Sequence, residues 1–342
     1  MAVPRIDVFD NGAVRLGANL VCDGYAEGFA FRVQTHIHDD HMGDFNKSKG
    51  LQDIFMSRET KALLIAELNA DIEYRDNIIS LNWGEEKELE DRTKLAFVRS
   101  GHMLGSTQVV LEHPDGLRCG YSGDFSWPID NVIQVDELVI DSTYGSPASV
   151  RKYSQGEAES RLLEIVCQRL RHGSVHIHAH RGTIERTLHV LSANIGVPIL
   201  GSKKLISEIS VYQANGFAVG SVTRTDSDEG RIALKGQSYV RLYAKGDGFR
   251  NELIEGTSIS CSAYMTKPDN PVIEYSERAF GVALTNHADF EDTIEYIRAT
   301  GAKKVITDNT RTHGVDLAVA INSYLSGISA QPSSNHAAFS AG

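Results

Sequence analysis

The chain has 342 residues, 41% of them hydrophobic and 23% charged, a composition typical of globular proteins and long enough for more than one domain. No window approaches the roughly 18 uninterrupted apolar residues of a membrane span, and the first twenty residues lack the apolar run of a signal peptide. The four cysteines lie far apart without a C-x-x-C pair. These features exclude a membrane protein, a disulfide framework and a zinc ribbon, and they predict a cytoplasmic protein.

The net charge of −11 is unevenly distributed along the chain. Residues 151–250 hold 15 Lys and Arg against 9 Asp and Glu, whereas the other residues hold 19 against 36. A basic segment in an acidic chain favours a phosphate-binding region combined with carboxylates that bind metal. A chance excess of basic side chains on a solvated surface is the alternative.

Hydrophobic periodicity predicts the elements in chain order. A hairpin is expected around the Asn11-Gly12 turn, followed by a helix over 58–71 and by strands over 94–100, 107–113, 117–124 and 136–145. Beyond residue 150, the pattern predicts alternating helices and strands over 157–173, 174–180, 183–196, 198–202 and 203–216. The last predicted elements are strands over 257–265, 280–286 and 303–308 and helices over 289–301 and 315–327.

This order predicts an α/β protein built around a discontinuous domain. The expected domain comprises residues 1–150 and 253–330, and an α/β cap over residues 151–252 is inserted between its two parts. Residues 331–342 are rich in Ser and Ala and are expected to form a flexible tail.

The segment THIHDDH holds four candidate metal ligands within six residues. Residues i and i+2 of an extended segment project to the same side, so His36 and His38 can approach one ion while Asp40 and His41 turn toward a second. Imidazole and carboxylate are the ligands that Zn²⁺ favours in open catalytic sites. A polar solvated loop is the alternative.

Two further candidates lie in glycine-containing turns after predicted strands: His102 in SGHMLGS and Asp124 in YSGDFS. Either residue alone is equally consistent with an ordinary turn. Together with THIHDDH, however, they resemble the metallo-β-lactamase superfamily, which implies an αββα sandwich and a binuclear zinc site. In that site the resemblance assigns His36, His38 and His102 to one zinc ion, Asp40 and His41 to the other, and Asp124 to both.

Three motifs resemble one branch of that superfamily, the β-CASP nucleases. GHMLGS is similar to the GH-x-x-GS segment of these enzymes, and DSTYG, which begins at Asp141, resembles their acidic-S-T-Y-G motif. TNHADF, which contains His287, is similar to their S-x-H-x-D motif and precedes a predicted helix. The resemblance covers almost the whole chain and extends to RNase J and messenger-RNA 3′-end processing enzymes. We expect this chain not to carry an additional C-terminal RNA-binding domain.

The resemblance implies a zinc-dependent phosphodiesterase that cleaves single-stranded nucleic acid, with RNA favoured over DNA, through attack of a metal-activated hydroxide on phosphorus. Asp40, Asp141 and His287 are the expected catalytic residues. Asp141 and His287 would bond each other near the leaving oxygen, where His287 acts as a general acid whose pKa a carboxylate supports. Turn or helix capping is the alternative role of Asp141 and His287.

The second zinc site departs from the family pattern. A final histidine ligand is common in the family, but Asn309 occupies the place where it often falls, and a His-Gly pair follows at His313. Either His313 reaches the metal through a longer loop, or another group such as Asp308 replaces it. The expected cofactor is therefore two zinc ions, with occupancy of the second site left open.

The cap contains a candidate substrate site at Arg181, Gly182 and Thr183, where a predicted strand turns into a helix. Backbone N–H groups at a helix N-terminus bind anions, and an arginine adds a bidentate phosphate donor. The expected partner is single-stranded RNA or DNA rather than a membrane, and oligomerisation is left open.

Two other functions compete with a nuclease. A hydrolase of small thioesters or lactones would explain THIHDDH but not the cap, Asp141 or His287. An inactive structural subunit of a processing complex is the second alternative, although relatives of that kind usually lack metal ligands that this sequence retains.

Overall fold

The computed structural model describes residues 4–68, 71–248, 255–262 and 267–334. The chain forms two compact units, one built from residues 1–150 and 287–342 and the other from residues 151–286. The sequence-based boundary at residue 253 therefore differs from the structure, in which the chain returns to the first unit at His287. Residues 151–286 contain 17 basic and 14 acidic side chains. The corrected boundary therefore halves the excess of basic over acidic residues that was counted over residues 151–250.

The elements follow the chain in this order. The strands are β1 (Ile6–Val8), β2 (Val14–Leu16), β3 (Leu20–Cys22), β4 (Phe31–Val33), β5 (Asp53–Ser57), β6 (Ile78–Leu81), β7 (Glu86–Glu88), β8 (Lys94–Arg99), β9 (Thr107–Glu112), β10 (Arg118–Tyr121), β11 (Glu137–Ile140), β12 (Val175–Ala179), β13 (Ile199–Gly201), β14 (Thr223–Arg224), β15 (Val240–Ala244), β16 (Thr257–Cys261), β17 (Val272–Ser276), β18 (Ala279–Val282), β19 (Lys304–Thr307) and β20 (Ser329–Pro332). The helices are α1 (Phe45–Leu51), α2 (Arg58–Leu68), α3 (Gln155–Arg169), α4 (Thr183–Ser192), α5 (Lys203–Ala214), α6 (Asp228–Lys235), α7 (Phe290–Thr300) and α8 (Gly314–Tyr324). Across the described ranges, no helix combines the length and apolarity needed to cross a membrane.

The first unit contains two mixed sheets. One has the strand order β1-β2-β3-β4-β5-β6 and begins with the expected hairpin, in which Gly12 has a φ of +80°. The other has the order β20-β19-β11-β10-β9-β8-β7. Buried side chains of both sheets, among them Phe55, Leu95 and Val109, form one hydrophobic core. Buried residues of α7 and α8 pack against the second sheet in a separate core.

Parallel strand pairs determine where the polar loops of the first unit meet. Strands β10, β11 and β19 run parallel in the second sheet, and β3 and β4 run parallel in the first. Carboxyl ends of neighbouring parallel strands meet at the same edge of a sheet. The segments after β10, β11 and β19, which carry Asp124, Asp141 and Asp308, therefore start from one edge of the second sheet.

The second unit has one sheet in the order β14-β13-β15-β12-β16-β18-β17, in which the β17–β18 pair is antiparallel and the other pairs are parallel. Strand β16 pairs with β12 residue by residue, from Thr257 opposite Val175 to Cys261 opposite Ala179. This pairing explains why residues 257–282, which the sequence analysis assigned to the first domain, belong to the second unit.

The expected flexible tail falls only partly on described residues. Residues 331 and 332 end β20, which pairs with β19 at an edge of the second sheet. Residues 335–342 lie outside the described residues. The cysteines are all free thiols, with Cys22, Cys119 and Cys261 buried and Cys167 exposed.

Candidate metal centre

Four side chains from three loops converge in the first unit. His36 and His38 follow β4, His102 lies between β8 and β9, and Asp124 follows β10. Their potential ligand atoms all lie within 4.8 Å of one another. We call His36, His38, His102 and Asp124 the primary donor set. All four are residues that the sequence analysis predicted as metal ligands.

Distances within the primary donor set fit one tetrahedral ion. Oδ2 of Asp124 lies 3.5 Å from Nε2 of His36 and 3.5 Å from Nε2 of His102, and the latter atom lies 3.1 Å from Nδ1 of His38. Two ligand atoms that are each 2.0–2.1 Å from a tetrahedral zinc ion are about 3.3 Å apart. Burial lowers the pKa of His36, His38 and His102, which favours the neutral imidazoles that bind metal.

A hydrogen-bond chain fixes the orientation of His36. The hydroxyl of Thr35 donates to Oδ2 of Asp23 at 2.6 Å, so its oxygen accepts from Nδ1 of His36 at 3.0 Å. Nε2 of His36 then carries a lone pair that points toward the carboxylate of Asp124. Among the described residues, neither that nitrogen nor Oδ1 of Asp124 has a hydrogen-bond partner. Buried acceptors on two members of the primary donor set fit a bound cation.

Asp23 is a residue that the sequence analysis missed. Its Oδ2 lies 2.8 Å from Nδ1 of His41, and its Oδ1 accepts from the backbone N–H of Thr35 at 2.8 Å. It follows β3, which is paired with β4, and it has a φ of +56°. A carboxylate that accepts from the outer nitrogen of a histidine ligand sets the tautomer and basicity of that ligand.

Asp40 and His41, the expected ligands of a second zinc ion, contact an arginine that the sequence analysis did not predict. Arg311 forms an ion pair through Nη1 with Oδ2 of Asp40, and its Nη2 lies 2.8 Å from Nε2 of His41. We call these three residues, Asp40, His41 and Arg311, the arginine group. Nε2 of His41 also lies 3.1 Å from Oδ1 of Asp124, so the arginine group adjoins the primary donor set.

His313 does not join these clusters. Its Nδ1 lies 3.1 Å from Oδ2 of Asp316, and it is the N-cap residue of α8. Asp308, the alternative second-site ligand, accepts through Oδ1 from the backbone N–H of Thr310 at 2.9 Å, and its Oδ2 lies 3.5 Å from Nε of Arg311. The loop from Asp308 to His313 thus directs Arg311, rather than His313 or Asp308, toward the expected second site.

Asp141 and His287 lie together beside the primary donor set. Oδ2 of Asp141 is 4.0 Å from Nδ1 of His287, a distance too long for the hydrogen bond that the sequence analysis expected. Nε2 of His287 is 3.8 Å from Oδ2 of Asp124. The N–H and hydroxyl of Thr143 donate to Oδ1 of Asp141 at 3.1 and 2.7 Å. The Tyr144 ring lies against His287 with centroids 5.4 Å apart.

Burial changes the proton affinities of this pair in a way that the sequence did not indicate. Burial and the charge of Asp124 raise the pKa of Asp141 to about 7. Burial lowers the pKa of His287 and outweighs the carboxylates of Asp124 and Asp40, which raise it. The expectation that a neighbouring carboxylate holds the pKa of His287 up is therefore not met.

The predicted substrate residues of the cap have partners within their own unit. Arg181 is 5% exposed, and its Nε lies 3.1 Å from Oε1 of the buried Glu208. The backbone N–H of Gly182 donates to Oε2 of Glu185 at 2.6 Å, and Thr183 is buried. Glu208 and Glu185 thus occupy the guanidinium and the helix N-terminus that were expected to bind a phosphate. This arrangement favours a structural role for Arg181 and Gly182.

Arg181→Ala is expected to lower the free energy of unfolding by about 3–5 kcal/mol, because it leaves the buried carboxylate of Glu208 without its cation. Urea unfolding measures this loss. Arg224→Ala is the control, since it removes an exposed pair with Asp226 that is worth at most about 1 kcal/mol. Equal and small losses in the two variants would contradict a structural role for Arg181.

A pH-dependent stability is expected from Glu185. Burial and the charge of Glu208 raise the pKa of Glu185 to about 8, against roughly 4.3 for an unfolded glutamate. The folded state then binds this proton more tightly than the unfolded state, so the contribution to stability is present below about pH 4 and declines until about pH 8. Glu185→Gln, which keeps an acceptor for Gly182, is expected to remove this decline.

Urea unfolding of both proteins between pH 5 and pH 8 tests this expectation. The advantage of Glu185→Gln over the wild type should grow toward pH 8, to on the order of a few kcal/mol. Glu164→Gln, which changes an exposed glutamate paired with Arg161, should leave the wild-type profile unchanged. Parallel profiles for Glu185→Gln and the wild type would contradict the raised pKa.

Comparison with known proteins identifies relatives of part of the chain. No family model matches the sequence. An RNase J-like protein from Methanocaldococcus jannaschii is 32% identical over 160 residues, which are 41% of this chain and 38% of that protein. Transcription termination factor FttA from Pyrococcus abyssi is 26% identical over 139 residues, 38% of this chain and 20% of that protein. This chain thus spans less than half the length of either relative, and the two matches support a relationship to β-CASP nucleases at low identity.

Two uncharacterised proteins are matched over most of their own length. A crystal structure of a protein of unknown function from Enterococcus faecalis is similar with a TM-score of 0.58 and 13% identity, covering 83% of this chain and 76% of that one, which shows a shared fold. An uncharacterized protein in the lig 3′ region of Acidianus ambivalens is 30% identical over 138 residues, which are 39% of this chain and 97% of that protein. By this near-complete coverage, the chain belongs to the same protein family as the Acidianus protein.

Proposed function

We propose that this chain is a metal-dependent phosphodiesterase of the β-CASP type that cleaves single-stranded nucleic acid, with RNA favoured over DNA. The observation that carries the proposal is the convergence of the primary donor set with the Asp141–His287 pair. The first provides imidazole and carboxylate ligands. The second provides two groups that can carry a proton, His287 at 3.8 Å from Asp124 and Asp141 at 4.0 Å from His287. Metal-assisted phosphodiester cleavage requires both.

Zinc is the metal that the donor set supports best, because three imidazoles and one carboxylate are typical zinc ligands. A zinc ion bound there supplies water of lowered pKa and neutralises charge on phosphoryl oxygens. The chain contributes the geometry: Asp23 and Thr35 hold the rings of His41 and His36 so that their inner nitrogens face Asp124. The ligands are therefore oriented before substrate binds.

Asp141 and His287 are the residues that we assign to protonation of the leaving sugar oxygen. Thr143 holds one oxygen of Asp141, which leaves the other oriented toward His287. Burial, the larger cause of the raised pKa of Asp141, favours its protonated carboxyl group, which can supply a proton to this pair. Proton transfer from His287 to the departing oxygen, with resupply from Asp141, is the step that this arrangement favours.

The architecture of the two units supports the same assignment. We assign the two-sheet unit to the metallo-β-lactamase sandwich and residues 151–286 to the β-CASP region, in agreement with the relatives named RNase J-like protein and FttA. A hydrolase of small thioesters would need the metal ligands but not the Asp141–His287 pair, because a thiolate leaves without protonation. A lactone hydrolase releases an alkoxide that does need a proton, and the strand-cleavage assay distinguishes it from a nuclease.

Cleavage of end-labelled single strands tests the proposal. Full-length chain loaded with zinc should cleave a labelled RNA oligonucleotide faster than a DNA strand of matched sequence, lose activity with a chelator and regain it when zinc is restored. The product lengths distinguish endonuclease from exonuclease action. Hydrolysis of a thioester or lactone without cleavage of either strand would contradict the proposal, as would no cleavage at full zinc occupancy.

A further inference from the structure

The arginine group lies where the resemblance places a second zinc ion, and this position carries a further inference. We propose that the guanidinium of Arg311 replaces the second metal ion, so that the centre operates with one metal ion in the primary donor set and one fixed guanidinium beside it. This inference rests on the proposed function. It changes the expected cofactor from two zinc ions to one.

Each of the three guanidinium nitrogens of Arg311 lies near an aspartate or a histidine. Nη1 pairs with Asp40, Nη2 lies 2.8 Å from Nε2 of His41, and Nε lies 3.5 Å from Oδ2 of Asp308. The Arg311 side chain is 19% exposed, so it is largely enclosed by these groups. Asp40 and His41 are the two residues that the family pattern assigns to the second zinc ion alone.

Hydrogen-bond directions show that the guanidinium uses the nitrogen a second metal ion would need. Oδ2 of Asp23 lies 2.8 Å from Nδ1 of His41, so Nδ1 carries the proton that this carboxylate accepts. Nε2 of His41 then presents a lone pair, and Nη2 of Arg311 donates to it. A metal ion and the guanidinium would compete for the same lone pair.

The charge of the pocket favours a permanent cation at this position. The guanidinium of Arg311 pairs with the carboxylates of Asp40 and Asp308, and it contacts His41, which lies 3.1 Å from Oδ1 of Asp124. Positive charge is thus favoured beside Oδ1 of Asp124, and Arg311 supplies it without metal.

The loop that carries Arg311 is held in place by Asp308. The backbone N–H of Asp308 donates to the carbonyl of Ile140 at the end of β11, and Oδ1 of Asp308 accepts from the backbone N–H and hydroxyl of Thr310 at 2.9 and 2.5 Å. The guanidinium is therefore positioned by the sheet rather than by a loose loop.

Counting metal ions per chain tests the inference without reference to activity. The full-length protein, saturated with zinc and freed of excess, should hold one ion per chain by native mass spectrometry and elemental analysis. Arg311→Ala removes the competing cation and frees Asp40 and His41, so it should hold two. Arg311→Lys retains a positive charge and should hold one, and His313→Ala should also hold one, because His313 lies against Asp316 instead of the site.

Two outcomes would overturn the inference: two tightly bound ions in the wild type, or one ion in Arg311→Ala that has kept the wild-type circular dichroism spectrum. A second readout is the zinc dependence of cleavage. Arg311→Ala should be slower than the wild type at one equivalent of zinc and should recover when excess zinc fills the vacated position. Failure of the proposed function gives a different result, in which no form cleaves nucleic acid whatever its metal count.

Discussion

Asp124→Ala is expected to abolish both metal binding and strand cleavage. The Asp124 carboxylate lies 3.5 Å from the inner nitrogens of His36 and His102 and 3.1 Å from that of His41, so it contacts the primary donor set and the arginine group. Changes to outer-shell partners of a metal ligand cost roughly 10–100-fold in affinity or activity. Loss of a ligand that lies among three histidines should cost more than that.

Elemental analysis and the labelled-strand assay measure the two effects on the same preparation. Asp71→Ala is the matched control, because it removes an exposed aspartate that pairs with Lys49 and Arg75 on the surface. It should leave metal content and cleavage unchanged. Asp124→Ala protein that holds wild-type amounts of zinc and turns over normally would refute the central position of Asp124.

His287→Ala is expected to retain zinc but to slow cleavage by about 10²–10⁴-fold, the usual contribution of a general acid. The nitrogens of His287 lie 3.8 Å from Asp124 and 4.0 Å from Asp141, and the ring is outside the primary donor set. Asp141→Asn should also slow cleavage with zinc retained, since it removes the carboxyl group that exchanges a proton with His287.

An activated substrate separates proton donation from a structural effect of His287. A nitrophenyl phosphodiester releases a stable anion that needs no protonation, so His287→Ala should cleave it at close to the wild-type rate. An equal loss of rate on the oligonucleotide and on the nitrophenyl ester would contradict the role of general acid. Loss of zinc from His287→Ala would instead make this histidine a metal ligand.

Local sequence could predict the primary donor set because each member follows a strand in a short, recognisable motif. His36 and His38 share one extended segment, and the turns that carry His102 and Asp124 contain glycine at positive φ, at Gly101 and Gly123. In both turns, the glycine that the backbone conformation requires stands directly before the histidine or aspartate that can bind metal. Parallel pairing of β10 with β11 in the structure brings Asp124 and Asp141 to one edge of the sheet.

What the sequence could not predict depends on contacts between distant residues. An arginine two residues before His313 resembles any surface residue until the loop places it on Asp40, 271 residues earlier. Asp23 resembles an ordinary turn residue, because its partner His41 lies 18 residues away on another segment. The helix N-terminus at Gly182 has the same local pattern whether a ligand or Glu185 fills it.

The domain boundary was misplaced for a similar reason. The sequence of strands β16 and β18 has the same local pattern as the strands of the first domain, and periodicity alone does not say which sheet a strand joins. Only the residue-by-residue register with β12 assigns β16 to the second unit. The error mattered for function, because the longer unit has a smaller excess of basic charge than the predicted cap.

Anomalous X-ray diffraction at the zinc absorption edge, on crystals of the zinc-loaded full chain, tests the metal centre most directly. The expected result is a strong peak enclosed by the primary donor set, about 2.0–2.2 Å from its histidine nitrogens and from an oxygen of Asp124. No peak at full zinc loading, or a peak among other residues with these four side chains unligated, would contradict the account.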